Sequence, residues 1–271
     1  MAMAKDLRVA PISSHDAREL VRRIHYSGKV ANNSQLHFGV FLNGKLEGAM
    51  QFGPSLDKRK IQGLVSATGW NDFIELNRMA FSEALPRNSE SRALGVALRL
   101  IKKHYHHIEW VISFADAAQC GDGTIYRASG FVLTGLKKNT QIWAAQSGEK
   151  FSRVPPADGR SKQQARQIVC RTTMTKGGHN NATGAASMRA YADAGFKPIP
   201  GFQLRYIYFL NPAARERMTV PIIPFSKIDE MGAGMYKGEK ITRTKEQDAG
   251  HPPALGGVTP TRALHIESLG A

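Results

Sequence analysis

The sequence predicts an α/β (α+β) fold, a mixed central sheet flanked by helices, carrying a basic insertion and a C-terminal tail. Three observations lead there. Trp110–Phe114 is an apolar, β-prone run, the pattern of a strand covered on both faces. Turn chemistry at Gly121-Asp122-Gly123, a short helical run and a helix-ending Gly130 come next, so a strand opens directly into a helix. Strand-like and helix-like segments then alternate along the remaining chain.

Taken in order, Leu7–Ile12 is a short strand. Ser13 or Ser14 caps a helix whose buried stripe is Ala17, Leu20, Val21 and Ile24. That helix stops in His25-Tyr26-Ser27-Gly28, and its C-terminus favours a protonated His25. A capping pair at His25 and Tyr26 is the structural alternative to a catalytic one. His37–Leu42 and Leu46–Phe52 form a hairpin around Asn43-Gly44. Gly53–Trp70 reads as a loop, with Lys58-Arg59-Lys60 either a solvated face or a set of phosphate contacts. Phe73–Met79 alternates as a strand in which Glu75, Asn77 and Arg78 interrupt the apolar positions.

Pro86–Ser91 leads into an amphipathic helix with Leu94, Ala97, Leu98, Ile101 and Tyr105 on its inner face. Its N-terminus, at Asn88, Ser89 and Ser91, offers backbone N–H groups and a positive dipole end to a phosphate or carboxylate. His104, His106 and His107 match no metal spacing and suit the helix end instead. In the central stretch, Ser113 and Asp116 fall where the strand runs out. Thr124 caps the following helix, and Ile125, Ala128 and Ser129 fit its run. Ligands bind where strands of open α/β sheets end and helices begin, so Ser113, Asp116 and Tyr126 read as site chemistry. Phe131–Leu136 and Gln141–Ala145 are expected to pair across Lys137–Thr140.

Phe151–Arg205 carries nine Lys and Arg against only Asp158 and Asp193, and reads as an insertion with one helix at Ala186–Ala194. An arm on a nucleic-acid backbone and a disordered linker are both open for it. Gln203–Leu210 is a strong strand that completes the sheet. Tyr206 and Tyr208 either pack or stack on a base. Asn211-Pro212 starts a short helix, and glycine, proline and charge from Thr242 onward mark a flexible tail. The expected organisation is a core at 1–150, the basic insertion at 151–202, the final strand and C-terminal elements at 203–241, and the tail at 242–271.

The formal net charge is +15, and the excess is spread over both halves of the chain. Such a field favours a polyanion, nucleic acid or an anionic membrane surface. No long apolar run or basic amphipathic helix supports a membrane, so double-stranded DNA or another nucleic acid is the expected partner, with solubility the bland reading of the charge. Cys120 and Cys170 make no disulfide framework, and the start MAMAKDLRVAP lacks a signal peptide's apolar core. A reducing cytoplasm is expected.

The order of elements resembles the GNAT N-acetyltransferase fold, in which a mixed sheet splays open and an acyl donor's pyrophosphate lies on a helix N-terminus. That family's loop is of the type Q/R-x-x-G-x-G/A, whereas Arg87–Ala93 contains no glycine. A closer resemblance rests on H-Y-S-G at 25–28, F-G-V-F at 38–41, E-L-N-R at 75–78, N-S-E-S at 88–91, S-F-A-D at 113–116 and G-T-I-Y-R-A-S-G-F at 123–131. These blocks, with L-R-Y-I-Y-F-L-N-P-A-A-R-E-R and V-P-I-I-P-F further on, are similar in kind and order to the Mom family of bacteriophage DNA-modification proteins. The resemblance implies conversion of adenine N6 in double-stranded phage DNA to an acetamido (carbamoylmethyl) derivative, which hides the DNA from host restriction enzymes in the host cytoplasm.

By that resemblance Tyr26, Arg78, Asp116 and Tyr126 are the expected catalytic residues, with His25 and Ser113 beside them, converging in a split between neighbouring strands. Asp116 could accept the proton of N6, Arg78 could pair with an anion or a carbonyl oxygen, Tyr126 could donate to a leaving group and Tyr26 could stack on an extruded adenine. An Arg78–Asp116 ion pair and a core Tyr126 are the structural alternatives. The donor stays open among acetyl-CoA, an aminoacyl ester (a tRNA-borne group included) and an amino-acid-derived group. A metal such as iron held by His, Tyr and Asp also stays open, as does a homodimer. Other function classes are a CoA-dependent N-acetyltransferase of a small amine or protein, and a basic DNA-binding protein with no enzymatic activity.

Overall fold

A computed structural model describes residues 3–27, 29–118, 121–139, 142–144, 150–152, 195, 197–236 and 239–240. The strands are β1 (Arg8–Pro11), β2 (Leu36–Leu42), β3 (Lys45–Gly53), β4 (Phe73–Phe81), β5 (Trp110–Asp116), β6 (Val132–Asn139), β7 (Ile142–Ala144), β8 (Lys150–Ser152), β9 (Lys197–Pro198), β10 (Gly201–Phe209), β11 (Met235–Tyr236) and β12 (Glu239–Lys240). The helices are α1 (Ser14–Ile24), α2 (Lys58–Gln62), α3 (Ser89–His104), α4 (Thr124–Ala128), α5 (Ala213–Glu216) and α6 (Ser226–Glu230). The expected mixed α/β architecture is present: one seven-stranded sheet ordered β1-β2-β3-β4-β5-β10-β6.

Local chemistry accounts for several elements directly. Ser13 caps α1 by accepting the Asp16 N–H at 3.1 Å, and Ala17, Leu20 and Val21 are buried on its inner face. Asn43 and Gly44, with φ of 51° and 80°, supply the two left-handed positions of a two-residue turn between β2 and β3.

β4 and β5 run parallel, joined through α3, and every other neighbouring pair in the sheet is antiparallel. Their pairing ends at Glu75 opposite Ile112, although β4 continues to Phe81 and β5 to Asp116. Beyond that point the two strands part, so the sheet is splayed. β4 also carries a bulge: Gln51 of β3 opposes Arg78 while the next residue, Phe52, opposes Leu76, leaving Asn77 as the extra residue.

The sheet separates two packed layers. On one face α3 and α4 cover a cluster that includes Phe52, Leu76, Val111, Ala115, Leu133 and Tyr206. On the other face α1 lies over Ala49 and Ala80, and Leu64, Val65 and Ala214 pack on Phe73, Trp110, Ile112 and Ile207.

Several expectations are corrected. Gly53–Trp70 is not all loop, because α2 forms within it. Lys60 pairs with Asp57 at 2.8 Å across its first turn, and Ile61 packs on the cluster around Leu64 and Val65. A single turn fixed by tertiary packing leaves no periodicity to read. β6 does not pair with β7. β6 lies against β10, with Leu136 opposite Leu204, while β7 sits between β8 and β9 in a separate sheet. The apolar β10 outcompetes the nearer segment as a partner. Gly123, with φ of 84°, occupies the cap position of α4, and Thr124 is its first helical residue. Tyr206 is fully buried and donates its hydroxyl to the Asp122 carbonyl at 2.5 Å, so it packs and does not stack on a base. The helix expected at Ala186–Ala194 and the tail from Thr242 lie outside the described residues.

Candidate active site

Successive side chains of a strand point to opposite faces. The bulge at Asn77 shifts that alternation by one, which is why Glu75 and Arg78, three positions apart, share the α1 face of the sheet. Gln51 lies on that face opposite Arg78. Asp116 does too, at the end of β5 and two positions beyond Phe114 of the Trp110 cluster. Ser113 alternates to the α3 face.

Arg78 holds the segment after α1. Its Nε donates to the Lys29 carbonyl at 3.0 Å and an Nη donates to the Asn77 carbonyl at 2.5 Å. His25 accepts the Ser27 N–H on Nδ1 at 3.2 Å, and the Tyr26 ring lies 4.2 Å from the imidazole, centroid to centroid. Tyr26 is 57% exposed. Burial, followed by the Arg78 charge, lowers the His25 pKa to about 4. The expected protonated histidine is thus corrected to a neutral one, since desolvation and a neighbouring cation outweigh a helix-end dipole.

Stability therefore depends on pH. At pH 7 His25 is neutral whether the chain is folded or not. As pH falls from about 6.5, the ordinary histidine value, toward the folded value, only the unfolded chain gains the proton. His25 withdraws stability in that window, up to about 3 kcal/mol in all. Urea unfolding at pH 7 and pH 4.5 is expected to show a larger loss for the wild type than for His25→Asn.

Glu75 is not among the expected site residues. Its carboxyl is pushed up by burial, with Ser55, Asn77 and Arg78 pulling it back. The available signal is an acid set within the apolar pattern of a strand. Asp116 accepts the Ala118 N–H on Oδ1 at 3.0 Å and the Asn139 amide on Oδ2 at 3.2 Å. Asp116 thus has its own anchors at the end of β5.

The remaining expected residues lie on the other face. Ser113 is fully buried and donates to the Leu76 carbonyl at 3.5 Å, linking β5 to β4 just past the end of their ladder. Tyr126 of α4 packs 5.2 Å from the Tyr206 ring and 5.4 Å from Phe131. The expected single convergence is corrected to two groups. His25, Tyr26, Arg78 and Asp116 belong to the α1 side of the split and Ser113 and Tyr126 to the α3 side.

A cavity of about 610 Å³ opens on the α3 side, lined by Asn88, Ser91, Arg92, Gly95 and Arg99 of α3 and its cap, with Lys5, Ser129 and Tyr208 among its other walls. Of the three residues expected to hold a donor's anionic group, Asn88 and Ser91 line this cavity. Ser89 does not, being buried with its hydroxyl bonded to the Pro86 carbonyl. Asn88 holds a left-handed backbone, φ 67°, and its side chain makes no capping bond to the first turn. Lys5, Arg92 and Arg99 are additions. Arg92, Gly95 and Arg99 share one helix face by their spacing, a signal readable in the sequence. The loop before α3 lacks glycine, but Gly95 opens the wall instead: a Cβ there would meet only an Arg99 Nη at 3.8 Å.

Three cations and no carboxylate line this cavity, which suits an anionic ligand. Changing both Arg92 and Arg99 to alanine is expected to weaken binding of tripolyphosphate about tenfold or more, as loss of charge-assisted bonds does. Calorimetric titration reads this, with duplex affinity changing far less.

Among the described residues no three His, Cys, Asp or Glu side chains gather as a metal-ligand set. No described helix is long and apolar enough to cross a membrane.

The chain matches the family model of the Mom protein family over residues 6–227. It is 34% identical over 220 residues to the methylcarbamoylase mom of Escherichia phage Mu, covering 81% of this chain and 82% of that protein. Solved structures with a similar course include a tandem GNAT protein from the clavulanic acid biosynthesis pathway, with a TM-score of 0.42 and 10% identity over 76% of this chain and 99% of that one. A GNAT-family acetyltransferase from Streptococcus pneumoniae gives a TM-score of 0.34 and 15% identity, over 49% of this chain and 88% of its own.

Proposed function

This chain belongs to the Mom protein family, and from that premise we propose that it is a DNA-modifying transferase. It converts adenine N6 in double-stranded DNA to an acetamido (carbamoylmethyl) derivative and so protects that DNA from host restriction enzymes. The observation that supports the reading is the presence of two polar surfaces on one sheet, a cationic cavity beside α3 and an acid–guanidinium group on the α1 face where β4 and β5 part. Lys5, Arg92 and Arg99 line a cavity on the α3 side, while Glu75, Arg78 and Asp116 occupy the α1 side. A donor held by its anionic part on one side can meet an acceptor base on the other. The net charge of +15 supports a duplex as the acceptor's carrier.

Each residue has a role in that arrangement. The lone pair of N6 is delocalised into the ring, so the amine needs its proton removed as it reacts. N6 attacks the donor carbon, the bond from that carbon to the leaving group breaks with its electron pair, and Asp116 takes the N6 proton. The Asn139 amide and the Ala118 N–H fix the Asp116 carboxylate for this task. Arg78 faces the carbonyl oxygen of the transferred group, where a guanidinium stabilises developing charge. Tyr126, on the donor side, gives a proton to the leaving group. Tyr26 stacks on the base once it has left the helix, because the reacting atom of a paired base is hard to reach. His25 orients Tyr26, and Ser113 ties β5 to β4 beside the split. Because N6 ends on a methylene carbon in the acetamido product, the donor is an amino-acid-derived group that carries its leaving group on this carbon. Attack on the carbonyl of a CoA thioester or an aminoacyl ester would give an N6-acyl adenine instead.

Mass spectrometry of nucleosides from DNA of cells expressing the protein tests the reading. A new adenine mass is expected with the wild type and is lost with Asp116→Ala and with Tyr126→Phe. Unchanged adenine in cells that hold soluble wild-type protein would refute it.

A further inference from the structure

Leu56 is 94% exposed, more than any other large apolar residue described. It stands at the tip of the connection leaving β3, and that connection is fastened down. The Pro54 carbonyl accepts the Asn33 amide at 3.0 Å and the Asn77 amide at 3.4 Å. Gly53, just before it, pairs with Glu75 and is packed so closely that a Cβ would lie 2.6 Å from the Ser34 Cα and 2.7 Å from the Asn77 Oδ1. The Leu56 tip is therefore tied to Glu75–Asn77 of β4. Tyr26, the other strongly exposed large residue of this region, is tied through the Arg78–Lys29 contact to the next residue of the same strand.

After Leu56 comes Asp57, whose carboxylate is taken up by Lys60 at 2.8 Å, and then two further cations. Lys58 lies with its Nζ 4.6 Å over the Trp70 ring, and Arg59 is exposed with no ion pair among the described residues. An apolar tip beside these cations and a half-exposed tryptophan suits a polyanion with an apolar interior. Duplex DNA is such a partner: phosphates outside, stacked bases within. Proteins that unstack a duplex do so by inserting an apolar side chain, and enzymes acting on a base must take it out of the stack.

We propose that Leu56 is a wedge that enters duplex DNA and fills the place of the extruded adenine, while Lys58 and Arg59 hold the adjoining phosphates. This rests on the base-modification reading above. Extrusion needs one group to fill the gap and another to receive the base. Leu56 and Tyr26, both fixed to the Glu75–Arg78 segment, supply them.

A duplex carrying 2-aminopurine in place of a modified adenine reports extrusion as a rise in fluorescence when protein is added without donor. Wild-type protein is expected to give a several-fold rise. Leu56→Ala is expected to lose most of that rise and to slow modification of duplex about tenfold or more, while a single-stranded oligonucleotide is modified at the wild-type rate. Leu56→Phe, which keeps an apolar wedge, is expected to retain both. Because Leu56 touches solvent, the alanine variant should melt as the wild type does. An undiminished rise with Leu56→Ala, or equal losses on duplex and single strand, would overturn the wedge. Extrusion that depends on Leu56 with adenine left unmodified would keep the wedge and overturn the transferase reading. Modified adenine with no dependence on Leu56 would do the reverse.

Discussion

Replacing Arg78 by lysine is expected to lower the rate of adenine modification about a hundredfold or more, the scale seen when one donor to a developing charge is removed. The substitution keeps the charge, so the loss isolates geometry. Arg78 uses its planar fork on two carbonyls, those of Lys29 and Asn77. An ammonium is a point charge on a flexible stem and cannot reproduce that division. The segment carrying His25 and Tyr26 is released at the same time. A time course of modified nucleoside at saturating duplex reads the effect, with duplex affinity as the control. The His25 titration measured by NMR supplies a second readout. Arg78→Ala removes the weaker of the two influences on that imidazole, so its pKa should rise from about 4 yet stay below the ordinary value, because burial remains. Unimpaired modification by Arg78→Lys would remove Arg78 from the chemistry.

Gly123→Ala is expected to cost about 2–5 kcal/mol, from a left-handed backbone forced on a residue with a Cβ and from overpacking. Gly123 has φ of 84°, and a Cβ there would lie 2.4 Å from the Tyr206 Cε2 and 2.8 Å from its hydroxyl oxygen. Neither neighbour can give way easily. Tyr206 is fully buried and its hydroxyl is engaged by the Asp122 carbonyl. Asp122 in turn accepts from Thr124 at 2.9 Å and lies 3.5 Å from Arg127, so a displaced Tyr206 disturbs the start of α4 and with it Tyr126. Gly95→Ala is the contrast. Its Cβ enters open space in a helix interior, where alanine is worth about 0.5–1 kcal/mol over glycine. Thermal unfolding of the two variants should move in opposite directions. A stable Gly123→Ala protein would mean that the turn before α4 is looser than the packing around Tyr206 indicates.

Much of the candidate site is legible in the sequence by residue type but not by arrangement. Arg78 and Asp116 stand out as interruptions at strand ends, and both stand at the split. Glu75 interrupts the same strand pattern, but the sequence gives it no role, because only burial distinguishes its carboxyl from a solvated one. The cations of the cavity beside α3 escape a reading centred on the helix N-terminus, since Arg99 lies more than two turns along α3. His25 has the charge of an exposed helix end by its position alone, which the adjoining guanidinium and burial remove.

What the sequence by itself determined is what neighbours within a few residues decide. The Ser13 cap, the Asn43-Gly44 turn, the apolar run of β5 and the glycine stop at Gly130 all act through bonds and torsions of adjacent residues. Only the tertiary structure decided the order of the sheet and the faces of its side chains. β10 reaches its place between β5 and β6 from far along the chain, and the extra residue at Asn77 appears only against a partner strand. That one-residue offset sets which side chains meet, because strand alternation has a period of two and any shift by one exchanges the faces.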